Sequence, residues 1–182
     1  ALNQSNFETE VHEAYVDLVV FGTACMFCEM DKGKLRFSTR HIAEFYVNED
    51  QYGMVNTVHR EYKMTAAQAI ERFGEENVGA FIQRAFEKRP DEEVEILHCV
   101  MPRESRDVTK GDKTNMPFLS SYVSIGDKTL ISESGFEELP YVVPRFLKAT
   151  GEVMGRSPAM TALPDVKMLN LMSKTIIQAA QK

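Results

Sequence analysis

The chain has 182 residues, 43% of them hydrophobic and 26% charged, and a formal net charge of -6. That balance suits one folded domain, alone or with an extension, and argues against a nucleic-acid binder held by surplus Lys and Arg, while leaving room for a local basic surface. No apolar run is long enough to span a bilayer and no signal peptide opens the sequence. Three cysteines point to free thiols in a reducing compartment, and ten methionines suit adaptable or interface-facing apolar surface.

Residues Asn6 to Phe21 predict a helix, with Phe7, Val11, Ala14 and Leu18 on one stripe and Gly22 as its stop. Thr23 to Met30 reads as a buried strand, and Leu35 to Arg40 pairs back across the Asp31–Gly33 turn. His41 to Phe45 fits one helical turn, and Asn48 to Gly53 fits a tight turn. Met54 to Lys63 alternates as a strand of mixed polarity. Thr65 is suited to cap a short helix over 66–73 that Gly74 ends, and a second helix covers roughly 78–88. Glu93 to Met101 predicts a strand with Val94, Ile96, His98 and Val100 on one face. Residues 103–115 are dense in charge, Ser, Thr and Gly, and read as a mobile loop. Phe118 to Ile125 and Thr129 to Ser132 form a hairpin across Gly126-Asp127-Lys128, and Tyr141 to Leu147 is extended. Strands joined mostly by hairpins predict an α+β fold. Its sheet should be mixed and largely antiparallel, with flanking helices and a long C-terminal helix.

That last helix organises the reading. Gly151 and Gly155 give a flexible approach, Ser157 can cap, and Pro158 suits the first helical position. Pro164 should interrupt after roughly two turns, by a kink or by starting a second helix with Asp165 in its first turn. Beyond it, Leu169, Met172, Ile176 and Ala180 share one face, and nothing stops the helix before Lys182. The expectation is a piece cut from a longer chain, whose apolar arc packs on a neighbouring subunit or on residues outside this sequence.

Candidate chemistry is sparse. Cys25-Met-Phe-Cys28 has a spacing that serves zinc or dithiol exchange, with His98 and Cys99 as a loose second half. On a strand, however, residues three apart point to opposite faces, which favours buried structural thiols. The four histidines are scattered, with no i, i+4 pair. No phosphate loop, nucleophile elbow or finger spacing appears, so no catalytic centre, metal or cofactor is expected. Two classes stay open on these residues: a protein-interaction domain whose acidic surface binds a partner, and a metal- or thiol-dependent enzyme built on Cys25, Cys28, His98 and Cys99.

Several pieces in order carry a likeness. They are Val20-Phe-Gly-Thr-Ala, Arg60-Glu-Tyr-Lys-Met-Thr-Ala and Val94 to Arg103, then Asn115-Met-Pro-Phe118 and Gly135 to Arg145. Gly151-Glu152-Val-Met-Gly155-Arg156-Ser157-Pro158 and Ala162 to Asn170, with Pro164 and Asp165, complete the series. Together they resemble the head-to-tail connector (portal) proteins of short-tailed bacteriophages and prophages. The resemblance implies a structural virion protein without a catalytic centre of its own, of which this is a middle portion. It would form a ring, usually of twelve subunits, at a capsid vertex, after assembly in the host cytoplasm. Its partners would be copies of itself, the terminase, capsid and tail proteins, and double-stranded DNA passing without sequence-specific binding; no membrane is involved. Residues 1–150 would be a wing-like α+β domain, and 151–182 a turn and the start of a stem or channel-type helix. Lys167 and Lys174 are candidate contacts to DNA in the channel, and read equally well as a solvated face.

Overall fold

The structure is a computed structural model that describes residues 5–31, 33–107 and 109–181. It divides into two compact units, one of residues 43–142 and one of residues 1–42 with 143–182.

The first of these is a five-stranded antiparallel sheet with two helices. The strands are β3 (Phe45–Glu49), β4 (Val55–Thr65), β5 (Glu93–Pro102), β6 (Phe118–Ser124) and β7 (Thr129–Phe136), in that spatial order. β4 turns directly into α2 (Ala66–Phe73) because Thr65 closes a capping box. Its hydroxyl accepts from the Gln68 N–H at 3.2 Å and its own N–H donates to the Gln68 side chain at 3.1 Å. Gly74, at φ 85°, ends α2, and α3 (Ala80–Lys88) follows. The alternation expected of β5 holds: Val94, Ile96, His98 and Val100 are all buried on one face. Tyr62, Val94, Ile96 and Ile131 from the sheet meet Ala69 and Ile82 from the helices in one core. Each fully buried Ile or Val there contributes roughly 1.5–3 kcal/mol of hydrophobic stabilisation. Tyr141–Val142 forms a short strand, β8, that is not part of this five-stranded sheet.

One strand escaped the sequence pattern. The helical turn expected over 41–45 is a 3-10 turn at Ile42–Glu44, but the chain continues as β3 from Phe45 to Glu49. β3 is a short edge strand that buries only Phe45, and its register with β4 shifts at Asn48/Glu49, so it leaves little alternation to read.

The second unit begins with α1 (Phe7–Phe21), which lies on the antiparallel hairpin of β1 (Cys25–Asp31) and β2 (Lys34–Arg40). Ala14, Met26 and Phe37 form its core, with Phe7, Val11 and Leu18 packed against it. Polar groups of α1 also close the outer edge of β2. The Asn6 side chain bonds the Phe37 N–H and C=O at 2.9 and 2.8 Å, and the Glu10 carboxylate accepts from the Thr39 N–H at 2.6 Å. An edge satisfied this way offers no template for another strand. The unit ends in α4 (Pro158–Ala180), 23 residues and so about 34 Å long. No second helix begins at Pro164, which lies inside a single helix. Among the described residues no helix is long and apolar enough to cross a membrane.

Candidate functional site

The Gly151–Pro158 stretch builds the joint from which α4 departs. α1 ends at Gly22, whose φ of 81° is left-handed and whose N–H bonds the carbonyls of Leu18 at 3.0 Å and Asp17 at 3.2 Å. Burial pushes the Asp17 carboxyl up, against the pull of His41 beside it. The Gly22 carbonyl then accepts from the Phe146 N–H at 2.9 Å, and the Leu147 carbonyl from the Arg156 N–H at 2.7 Å. The Gly155 N–H donates to the buried Thr23 hydroxyl at 2.7 Å.

Backbone meets backbone here with no room for a side chain. A Cβ on Gly155 would stand 2.1 Å from the Gly22 carbonyl oxygen, and one on Gly22 would stand 2.5 Å from the Gly155 oxygen. Two glycines, far apart in sequence, are thus required by one contact.

Ser157 locks the helix to this joint. It is 2% exposed. Its hydroxyl donates to the Val20 carbonyl at 2.8 Å and accepts from the Met160 N–H at 2.9 Å, so one side chain caps α4 and satisfies the end of α1. Pro158 follows at the first helical position, as expected. Glu152 and Arg156 form a two-pronged ion pair, with Arg156 Nε 2.9 Å from Glu152 Oε2. The Arg156 hydrogen bonds hold the Glu152 carboxyl below its ordinary range. Arg145 adds a bond to the Val153 carbonyl at 3.2 Å. Gly151, at φ 82°, has open space around it.

Past the joint, α4 is bare: no residue of it is buried. Met160, Leu163 and Val166 are 47–49% exposed, and Leu169, Ile176 and Ile177 57–69%. Pro164, Asp165, Lys167 and Lys174 all lie exposed on this helix. On the helical wheel the lysines share a polar strip with Asn170 and Gln178, opposite the strip of Met172 and Ile176.

The thiol and histidine candidates form no such constellation. Cys25 is fully buried and Cys28 partly buried, and on a strand residues three apart point to opposite faces. Burial pushes both the Cys28 and Cys99 thiols up, which makes them poor nucleophiles. His98 has both ring nitrogens on hydroxyls, Nδ1 on Tyr141 at 2.8 Å and Nε2 on Ser120 at 3.0 Å, and its ring stacks on Tyr122 with centroids 4.1 Å apart. It is a core histidine. Among the described residues no group of three or more His, Cys, Asp or Glu side chains could hold a metal ion. Nothing in this geometry supports the metal- or thiol-dependent enzyme. The sequence also gave no warning of the Ser120 and Tyr141 partners of His98, which only strand pairing brings together.

The family model described as bacteriophage head to tail connecting protein matches residues 1–182. The chain belongs to that family. It is similar to the portal protein of Salmonella phage epsilon15, 34% identical over 185 residues, covering 99% of this chain and 33% of that protein. It is also similar to the probable portal protein of Bordetella phage BPP-1, 34% identical over 170 residues, covering 91% of this chain and 31% of that protein. The connector chain thus spans about a third of the length of these relatives.

Proposed function

We propose that this chain is part of a portal subunit, a structural protein of the phage virion through which DNA enters and leaves the capsid and to which the tail attaches. The observation that carries the reading is the family match along the whole chain, with portal relatives at 34% identity. The bare flank of α4 supports it, because half-exposed large apolar side chains along a whole helix are stable only where something covers them.

In this reading copies of the subunit form a closed ring, a dodecamer, at one capsid vertex, after assembly in the host cytoplasm. Terminase, capsid and tail proteins are its partners, and no membrane is involved. Residues 1–150 act as the wing-like body, and residues 151–182 turn into a stem or channel-type helix. Gly151, Glu152, Gly155, Arg156, Ser157 and Pro158 fix the launch of that helix; Pro164 and Asp165 lie in its first turns. Lys167 and Lys174 face passing DNA as isolated cations. A pore that conducts a polyanion works best with few phosphate contacts, since each adds affinity and salt dependence. The subunit carries no catalytic centre; force comes from a separate motor.

Electron microscopy of the full-length protein that contains this chain tests the proposal. Closed rings with a central opening are the expected result, and a protein that stays monomeric at all concentrations overturns it.

A further inference from the structure

α4 has little but its own bonds to shape it. None of its residues is buried, so the course of the rod follows from its backbone and from the side chains that bond to that backbone. Three features disturb its hydrogen-bond ladder. Pro164 has no N–H, so the Met160 carbonyl has no helical donor four residues on, and the proline ring presses on that carbonyl. The Thr175 hydroxyl donates to the Leu171 carbonyl at 2.9 Å, a bond of the kind that bends helices by competing with the helical one. The Thr161 hydroxyl reaches the Ser157 carbonyl at 3.5 Å, and the Thr161 N–H bond to the same oxygen is stretched to 3.4 Å.

All three features lie on one side of the helix. Successive helical residues stand about 100° apart, which places Thr175 about 20° and Thr161 about 60° from Pro164. The opposite side is apolar. Val166 and Ala180 stand about 160° from Pro164, and Leu169 and Ile177 about 140°. Val166, Leu169 and Ile177 are 48%, 60% and 57% exposed. A helix whose bonds lengthen or break on one side curves away from that side and leaves it convex. Threonines on the apolar side would have opposed the proline; placed as they are, the three effects add.

We infer that α4 yields in one direction only, with Pro164 as its elbow and Thr175 as a second, softer point, so that its apolar side lies inside the curve. Ser157 holds the start of the helix, and the rod beyond Pro164 closes over Val166 and Leu169. The inference goes beyond the portal reading and does not need it, because the bend belongs to the chain on its own. It bears on shape. A concave apolar side packs without voids on a rounded surface and leaves gaps on a flat one.

Residual dipolar couplings of the isotope-labelled 182-residue chain test this, with circular dichroism confirming that each form is helical. The couplings give the axis of residues 165–180 against that of residues 158–163. In the wild-type chain the two axes should differ by about 20° or more, closing toward Val166 and Leu169 and away from Lys167. Pro164→Ala restores the missing N–H and Thr175→Val removes the competing hydroxyl, and both residues fit a helix. The double variant should bring the axes to within about 10° of each other. A straight wild-type rod overturns the inference. So does a bend toward Lys167, or one that the double variant keeps. None of these results touches the portal reading, which stands or falls on electron microscopy of the full-length protein.

Discussion

Gly22 and Gly155 show what a single residue decides in this molecule. Gly155→Ala must push its methyl into the Gly22 carbonyl, 2.1 Å away, and backbone on both sides cannot yield as a side chain would. A loss of about 1–3 kcal/mol in the unfolding free energy is expected, measured by denaturant melts. Gly151→Ala is the control. Nothing lies near its Cβ, so only the left-handed φ of 82° is penalised, about 1–2 kcal/mol with no change in neighbouring contacts. Ser157→Ala should cost about 1 kcal/mol through the lost cap, and more if the Val20 carbonyl stays unpaired. Hydrogen exchange should then quicken in the first turn of α4. The cap at Ser157 and the proline after it were legible in sequence because capping is a local rule. The partners of Gly155 were not, since Thr23 lies 132 residues away and no local pattern announces a backbone contact.

Elements repeat the lesson with helix ends. α3 has no capping side chain of its own at Gly79. Asp127, from the turn between β6 and β7, supplies one instead: its carboxylate accepts from the Phe81 N–H at 3.3 Å. Burial alone would raise that carboxyl, but bonds from the Thr129 hydroxyl and the Phe81 N–H win and hold it below the ordinary aspartate range. A depressed carboxylate stabilises the fold above its unfolded pKa, near 3.9, and that share is lost as pH falls through the folded value. Asp127→Asn should therefore flatten the acid limb of the stability curve below about pH 4, while leaving its shape unchanged near neutrality. Thermal melts of both forms across that range check the sign. Local signals were enough for α1, α2, β5 and the β6–β7 hairpin, where period, cap and turn agree. They failed for β3, whose pairing with β4 carries information its five residues lack.

For the whole molecule, no residue of α4 is buried, and the role proposed for its surface is assembly. Replacing Leu169 and Ile176 together by Glu removes apolar groups that are 60% and 69% exposed. The isolated chain should keep its stability within about 0.5 kcal/mol. In the full-length protein the same pair should block ring formation, seen as the loss of closed particles by electron microscopy. The fold class and the family were legible at this scale because the likeness spreads over many short pieces in order. The bare face of α4 was legible only in part. Its apolar arc could be read, but that none of it is sheltered within its own chain is a fact of three dimensions.

The Ser157 anchor carries a last consequence. The start of α4 is held by carbonyls, amides, the Ser157 and Thr23 hydroxyls and two side-chain-free positions at its base, and not by the side chains along the helix itself. Substitutions can therefore accumulate along the rod as its neighbours diverge while its aim is inherited unaltered. Drift should be slow at 22, 155 and 157 and faster past Asn170, a contrast that sequencing of kindred phages can count.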